Sequence, residues 1–448
     1  MILSYPIKRS LYLAVFLWIT ACAIDDETSP TPKDVFVKYY GAAGTQYLSD
    51  MVTNEADNVV LFGGQTLAEV GADANLYLIE ADTIGNEINS VTISLNELIY
   101  PDSSTYKTED IAGSIIREKR SGYIIAGSYG EIVDAQVENT YLYWMYLDND
   151  LQVVKWDTIR TPSGQLLEGD VVQTSDFNVL ILGSTTDRAV NDLTPNAGFQ
   201  YLLVKRDFNA DTTIFRKTYG YANSNEYGSN IFEYDNGDLA IIGQTDRLGS
   251  AGGASGTNIG IMILNPLATA QKSAKEYGLE INGTNSANDR PFDAIQNSSG
   301  FVVVGTASLG SSQQAFVMGI SNSGSLIFRQ TLESQWGINT TGHSVAETAE
   351  SDLLVVGSYP VFSVDDPLIE PNSQNKNGEV FVMRTNPFGS PKTGIESNFG
   401  LVSGDDEANK VLLLPSGSLL IGATIDFGSG QQMISLHKMN DKAILQRP

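Results

Sequence analysis

The amino-acid sequence predicts an all-β protein, a seven-bladed β-propeller with four antiparallel strands in each blade. Three observations support this prediction: a buried strand recurs along the chain, the intervening residues fit three more strands per repeat, and the two chain ends complement each other. The 42 glycines and the scarcity of segments with helical periodicity agree with β structure and many turns.

The recurring strand is a short run of β-branched and large aliphatic residues, entered through a polar turn and closed by a glycine. Its apolar residues do not alternate with polar ones, which is typical of a strand buried on both faces. It occurs at 58–66, 122–128, 178–185, 238–245, 300–306, 352–358 and 418–424. The closing glycines, Gly64, Gly127, Gly183, Gly243, Gly305, Gly357 and Gly422, are 63, 56, 60, 62, 52 and 65 residues apart, a spacing that marks a repeat architecture.

Each repeat has room for four strands. A strand-like stretch precedes the buried strand and ends in a turn such as 235–237 or 415–417. A third strand follows a loop of variable length, as at 201–206, and a more polar fourth strand follows it, as at 213–220. Four antiparallel strands per repeat favour a propeller over a solenoid, whose periods are usually shorter.

The two ends of the chain predict closure of the ring. The last repeat has a third strand at 433–438 but almost no residues for a fourth, whereas 34–41 resembles the fourth strand at 213–220. The N-terminal strand is therefore expected to complete the last blade, which removes exposed strand edges. A stray strand on an open array is the alternative. We accordingly predict a single propeller domain over 34–448.

The first 21 residues have the pattern of a lipoprotein signal peptide. Lys8 and Arg9 precede an apolar run at 11–21 that is too short to span a bilayer. Residues 19–22 resemble the lipobox of bacterial lipoproteins, in which the cysteine becomes the acylated N-terminus, and Cys22 is the only cysteine in the chain. An ordinary cleavage site is the alternative. Because no second cysteine exists, the sequence excludes an intramolecular disulfide.

Residues 22–33 are predicted to be a flexible acidic tether. The acidic cluster at 25–27 resembles the surface-export signal of Bacteroidota lipoproteins, although acidic residues also keep a tether solvated. The resemblance implies a lipid-anchored protein on the outer membrane, facing the cell exterior.

The charge balance argues against nucleic acid as a partner. Lys and Arg total 27 against 53 Asp and Glu, which gives a net charge of −26. Nucleic-acid binding depends on neutralising phosphates with basic side chains. Solubility explains the acidic excess more simply than a dedicated cation site does.

A Tyr-Gly pair recurs before the repeats, at 40–41, 219–220 and 277–278. Together with the glycine-closed strand, the lipobox and the acidic cluster, it resembles the propeller-repeat lipoproteins of Bacteroidota. That resemblance implies a seven-bladed propeller at the cell surface. Members of this family are mostly of unassigned function, so no catalytic residue is carried over.

One column of polar residues is predicted to face the central channel. Counting back 12 to 14 residues from each closing glycine gives Asp50, Ser114, Asp170, Asn230, Asp293, Ser344 and Lys410. Such a set could bind a cation, a sugar or a peptide terminus. It could equally satisfy backbone N–H groups between blades, and we favour this structural interpretation.

Long loops are expected on the same face, where binding usually resides. The loops lie at 67–74, 129–139, 186–199, 246–258 and 360–379. Aromatic residues in these and the other connections, which suit sugars or partner proteins, are Tyr106, Tyr129, Phe199, Tyr221, Tyr227, Trp336, Tyr359 and Phe362.

The sequence offers little evidence for an enzyme. It has two histidines, His343 and His437, no zinc-binding spacing, no nucleophile elbow and no phosphate loop. A glycosidase would need two carboxylates on either side of a sugar, for which Asp50, Asp170 and Asp293 are candidates. No cofactor is predicted; calcium at 246–256 or 365–366 is an open possibility.

These observations favour a non-enzymatic binding or scaffolding subunit, associated with an outer-membrane transport or secretion complex or with another surface lipoprotein. The alternative is a glycan-binding or glycan-processing propeller, either a glycosidase or a lyase, on the cell surface.

Overall fold

The computed structural model describes residues 35–440 except for 69–72, 103–106, 134–135, 162–164, 188–197, 222–223, 248–255, 282–283, 286–287, 310–311, 334–338, 362–376 and 402–403. The signal peptide, Cys22, the acidic tether and most of the longest loops lie outside the described residues. In the described part the chain is almost entirely β. No helix there is long and apolar enough to cross a membrane.

The strands form consecutive groups of four. The first strands are β2 (Gly44–Thr53), β6 (Lys107–Arg117), β10 (Leu166–Gln173), β14 (Glu226–Glu233), β20 (Asn288–Asn297), β24 (Thr341–Glu347) and β28 (Glu407–Leu413). The second strands are β3 (Val59–Leu67), β7 (Tyr123–Val133), β11 (Val179–Thr185), β15 (Leu239–Thr245), β21 (Gly300–Leu309), β25 (Leu353–Val361) and β29 (Leu419–Asp426).

The two outer strands of each group follow in the same order. The third strands are β4 (Asn75–Ala81), β8 (Gln136–Leu147), β12 (Gln200–Arg206), β16 (Asn258–Leu264), β22 (Ser312–Ser321), β26 (Asn377–Thr385) and β30 (Gln432–Met439). The fourth strands are β5 (Glu87–Ile93), β9 (Val153–Ile159), β13 (Thr213–Tyr219), β17 (Gln271–Tyr277), β23 (Leu326–Leu332), β27 (Pro391–Phe399) and β1 (Phe36–Tyr40). Outside the groups lie a two-stranded hairpin, β18 (Glu280–Ile281) with β19 (Thr284–Asn285), and the helix α1 (Leu95–Ile99).

Strands within a group pair antiparallel, and five of the groups are separate four-stranded sheets. The remaining strands form one eight-stranded sheet, in which β2 meets β30 through a single parallel pairing of Thr45 with Gln432. The N-terminal strand β1 lies antiparallel to β30, with Phe36 opposite Lys438 and Tyr40 opposite Ile434. Each first strand contacts the first strand of the following group, and β28 contacts β2.

The core lies between neighbouring groups. Strands in the middle of a group are buried along their whole length, as in β11 and β16, because a sheet covers each of their faces. A representative cluster joins Val304 and Val317 of one group to Val355 and Phe381 of the next. Fourth strands such as β13 are half exposed, which explains their more polar composition.

The recurring Tyr-Gly pair fastens adjacent groups together. Each tyrosine lies at the end of a fourth strand, and its hydroxyl donates a hydrogen bond to a carbonyl in the turn between the third and fourth strands of the next group. The bonds are Tyr40 to Gly85 (2.8 Å), Tyr277 to Gly324 (2.6 Å) and Tyr219 to Ala268. The glycine leaves room for a buried side chain, since a Cβ on Gly220 would meet the carboxylate of Glu226.

The structure corrects several local predictions. The segment 129–139 is largely strand, because β7 and β8 extend into a long hairpin, and the aromatic rings of Tyr129 and Tyr359 are buried. Helix α1 was not predicted; the side chain of Ser94 caps it by accepting a hydrogen bond from the backbone N–H of Glu97. Outside the described residues lie Tyr106, Trp336 and Phe362. So do residues 365–366 and most of 246–256, the two segments considered for calcium.

Candidate functional site

Every first strand contains a β-bulge at the same position. The residues that the bulges leave without a partner on the second strand are Ser49, Gly113, Gly169, Ser229, Phe292, His343 and Asn409, here called the bulge residues. The residue after each bulge is the member of the predicted column in that group. We call these seven the ring residues. A bulge re-aims the side chains around it, so the bulge and ring residues of a strand both reach the centre.

The bulge also explains the glycine near the end of the second strand. A Cβ on Gly357 would lie within 3.0 Å of the carbonyl oxygen of Thr341 on the bulged strand, so no side chain fits there. The residues in the equivalent register are Gly63, Gly127, Gly183, Gly243, Gly305, Gly357 and Ala423. The alignment of closing glycines made from the sequence is therefore wrong by one residue in two repeats: the first, where it chose Gly64, and the last, where it chose Gly422.

The ring residues hold neighbouring groups together. Four of them accept a hydrogen bond from a backbone N–H on the first strand of the next group. These bonds are Ile115 to Asp50 (3.0 Å), Ile231 to Asp170 (3.1 Å), Val345 to Asp293 (3.3 Å) and Val411 to Ser344 (3.2 Å). The geometry therefore gives the predicted column a structural task, which was the favoured interpretation of its polar character.

Lys410 stands among the acidic ring residues. Its Nζ lies 3.2 Å from Asp293 Oδ1 and 3.4 Å from Asp50 Oδ1. Burial alone would lower the pKa of Lys410, but the charges of Asp293, Asp50 and Asp170 raise it well above its usual range. Lys410 thus supplies from within the chain the positive charge that a bound cation would otherwise provide.

Asp170 is the third acidic ring residue near Lys410. Burial raises its pKa to about 6, although hydrogen bonds from Ile231, Ser114 and Val171 and the charge of Lys410 act in the opposite direction. The Ser114 hydroxyl donates to it at 2.9 Å.

Above the ring residues lies a cavity of about 690 Å³, here called the central cavity. It is on the face that carries the connections between second and third strands, since Ser128, Ser184 and Gln244 at the ends of second strands line it. Six ring residues and the bulge residues contribute to its wall. A volume of this order suits a few sugar rings or a short peptide.

The wall of the central cavity is asymmetric. Three successive first strands, β2, β6 and β10, contribute small bulge residues, Ser49, Gly113 and Gly169, whereas β20 and β24 contribute Phe292 and His343. The Phe292 ring stacks on the His343 imidazole with centroids 4.9 Å apart and planes 14° apart. Among the bulge residues, the aromatic and imidazole side chains therefore lie on one side of the cavity.

His343 is oriented by a carboxylate. Its Nδ1 lies 2.5 Å from Glu407 Oε1 on the neighbouring strand β28. Burial raises the pKa of Glu407, but the hydrogen bond and charge of His343 outweigh it and lower this pKa. A carboxylate that receives Nδ1–H leaves Nε2 with a free lone pair, the arrangement that a general base requires.

Sequence reasoning found the ring residues but missed the bulge residues one position earlier. Counting back from glycine identifies a column of similar polar residues, whereas Phe292, His343 and Asn409 share no property that would mark them as equivalent. Glu407 was missed because acidic residues are abundant in this chain. The signal that could have found it is its place two residues before the bulge residue Asn409, on the strand next to that of His343.

The other histidine has no such setting. His437 on β30 is buried, its ring 4.1 Å from that of Phe399, and burial lowers its pKa to about 3. It lies in the core and does not line the central cavity. In the part of the chain that the structure describes, no group of three or more His, Cys, Asp or Glu side chains could hold a metal ion.

Comparison with known proteins identifies the fold and no more. In sequence, the chain matches no protein-family model and no curated protein. In structure it is similar to an ulvan lyase, a polysaccharide lyase, with a TM-score of 0.52 and 9% identity over 92% of this chain and 98% of the lyase. The same figures hold for that lyase bound to -[GlcA(1-4)Rha3S]-. A protein of unknown function from Dyadobacter fermentans aligns with a TM-score of 0.47 and 10% identity over 91% of this chain and 98% of its own.

The shared architecture confirms a nearly all-β, propeller-like fold for the described residues. At this level of identity it says nothing about activity.

Proposed function

We propose that this protein binds and processes a glycan in the central cavity, with His343 as the group that moves a proton. The observation that carries the proposal is that His343, paired with Glu407, lines a cavity large enough for sugar rings. Tyr227 also lines the cavity and contributes an aromatic ring of the kind that packs against sugars.

The proposal includes a seven-bladed propeller closed by β1. Contacts between first strands that lead from β2 through β28 and back to β2 support a ring, and the pairing of β1 with β30 supports closure by the N-terminal strand. In such a ring the central cavity lies on the axis, where every blade can contribute to one site.

A lipid anchor at Cys22 would turn the cavity away from the membrane. Strand β1 begins at Phe36, on the face that carries the turns between third and fourth strands, such as 82–86. It runs from there toward the opposite face, on which the first strands start. The cavity is built from residues near the start of the first strands. The first residue of β1 therefore lies on the face opposite the cavity, which suits capture of a glycan outside the cell.

The glycan hypothesis was the alternative at the sequence level, behind a scaffolding subunit of an outer-membrane transport or secretion complex. Two findings favour the alternative: a solved structure of similar fold is a polysaccharide lyase, and the described residues include a cavity with an oriented histidine. A glycosidase pair is less well supported, because Lys410 and neighbouring N–H groups already engage Asp50, Asp170 and Asp293.

The test is to incubate the mature chain with a panel of polysaccharides and to measure both reducing ends and the ultraviolet absorbance of unsaturated products. Hydrolysis yields reducing ends alone, whereas elimination yields both. His343→Gln should lower turnover by about 10²- to 10⁴-fold while glycan binding persists. A smaller loss is expected for Glu407→Gln, which keeps the imidazole but weakens its orientation.

Unchanged turnover in the His343→Gln protein would refute the assigned role. If the protein binds no glycan in the panel, the proposed function is refuted and the scaffolding hypothesis is favoured instead. For the anchor, Cys22→Ala should release the protein from membranes, and continued membrane attachment would contradict the lipoprotein assignment.

A further inference from the structure

The central cavity contains one arginine, Arg290, at its mouth. Arg290 lies on β20 two residues before Phe292, is exposed, and places its guanidinium 4.7 Å from the centroid of the Phe292 ring. Phe292 is itself stacked on His343. The three side chains therefore form a continuous layer of cation, aromatic ring and imidazole along one wall of the cavity.

Within the described part of the chain, no acidic side chain pairs with Arg290. Among the described residues its guanidinium makes no ion pair and no hydrogen bond. The other two basic groups of the cavity are engaged: Lys410 contacts Asp293 and Asp50, and His343 contacts Glu407. Arg290 is thus the basic side chain of this wall whose hydrogen-bond donors remain available to a ligand.

An unpaired arginine is unusual at this place because the chain carries a net charge of −26. Acidic partners are abundant, yet the strand directs Arg290 onto an aromatic ring instead. Stacking restricts a guanidinium while leaving its planar edge of N–H donors free, and that edge matches the oxygens of a carboxylate or a sulfate.

We infer that the glycan is an acidic polysaccharide and that Arg290 binds its carboxylate or sulfate group at the cavity mouth. This inference rests on the proposed glycan-binding function and specifies its substrate class. The acidic ring residues oppose an anion deeper in the cavity, so the charged substituent lies near Arg290. Uncharged parts of the sugar chain lie toward the small side chains and glycines of Ser49, Gly113 and Gly169.

The chain contains a matched control for Arg290. Arg120 is equally exposed, and its guanidinium lies 4.6 Å from the centroid of the Phe177 ring, but it is in the turn between β6 and β7 and does not line the cavity. Arg120→Gln removes the same charge from the same kind of stacked arrangement. It therefore reports the effect of net charge and of a lost cation–π contact by themselves.

The experiment measures binding of the wild-type, Arg290→Gln, Arg290→Lys and Arg120→Gln proteins to a glycan array and to three soluble probes. These are polygalacturonate (carboxylate), carrageenan (sulfate) and dextran (neutral). We expect acidic glycans to bind and dextran not to bind, and Arg290→Gln to weaken binding about tenfold or more. Arg290→Lys should recover part of that loss, and Arg120→Gln should bind like the wild type.

The two acidic probes are compared by the loss of binding that Arg290→Gln causes. A larger loss for polygalacturonate identifies the recognised group as a carboxylate, and a larger loss for carrageenan identifies it as a sulfate. Binding of neutral glycans that is insensitive to Arg290→Gln would overturn the inference and leave the proposed function intact. Equal losses in Arg290→Gln and Arg120→Gln would overturn it as well, because only net charge would then matter. No binding anywhere on the array would refute the proposed function itself.

Discussion

Replacing Lys410 by methionine should destabilise the protein markedly, because two carboxylates would remain near the centre without their cation. The ammonium lies 3.2 Å from Asp293 and 3.4 Å from Asp50. At an effective dielectric constant of about 20, each contact is worth about 5 kcal/mol before solvation is counted. Desolvation of the three groups offsets much of this sum.

Removing one partner of a buried ion pair typically costs about 3–5 kcal/mol of stability. Because the Lys410 side chain is 24% exposed, we expect its removal to cost a value near the lower end of that range. We therefore expect a loss of about 3 kcal/mol in the free energy of unfolding at pH 7.5, measured by urea denaturation. Lys107→Met is the matched control, since Lys107 pairs with Asp73 at 2.8 Å but its side chain is 47% exposed. Its loss should stay below about 1 kcal/mol.

The pH dependence of this loss tests its cause. The penalty comes from unpaired negative charge, so it should shrink as the pH falls and carboxyls become neutral. Asp170, with a pKa of about 6 that Lys410 helps to lower, should bind its proton at higher pH in the Lys410→Met protein. A loss below about 1 kcal/mol at pH 7.5, or one that does not change between pH 7.5 and pH 5, would refute the reasoning.

Three further outcomes are expected. Burial raises the pKa of several carboxyls, that of Asp110 to about 7. Their contribution to the free energy of unfolding is therefore complete below about pH 4 and is lost as the pH rises through 6–7. We expect the thermal unfolding temperature to be higher at pH 5 than at pH 8. Tyr277→Phe removes the hydroxyl that donates to Gly324 and should cost about 1 kcal/mol in urea denaturation. Gly357→Ala places a Cβ against the Thr341 carbonyl and should cost more than about 2 kcal/mol, and a neutral result would contradict the role assigned to the bulge.

The architecture could be predicted because a repeat imposes the same physical demand at the same position. Each second strand lies between two sheets and must be apolar on both faces, and each meets a bulged partner strand that leaves no space for a Cβ. These demands act on residue type directly, so they remain visible in the sequence. The two errors of register occur at Gly64, which follows the correctly placed Gly63, and at Gly422, which precedes the small residue Ala423 in the glycine position.

Bulge positions could not be predicted in the same way. A strand with a bulge and one without can have the same alternation of residue types, and the extra residue is detected only once the partner strand is in place. For this reason counting from the glycine reached Asp293 but passed over Phe292. The pairing of His343 with Glu407 joins residues 64 positions apart on different strands, a relation that a single sequence does not contain.

The repeat separates the residues that hold the fold from those that give it a use. The acidic ring residues are constrained because they accept hydrogen bonds from the next group, so Asp50, Asp170 and Asp293 are chemically alike although they lie on different strands. Bulge residues vary more in type: Ser49 and Ser229 also bond to the next group, but the side chains range from none in Gly113 to the ring of Phe292. We therefore propose that the function arises where residue types differ, in the layer of Arg290, Phe292 and His343, and not in the ring residues below it.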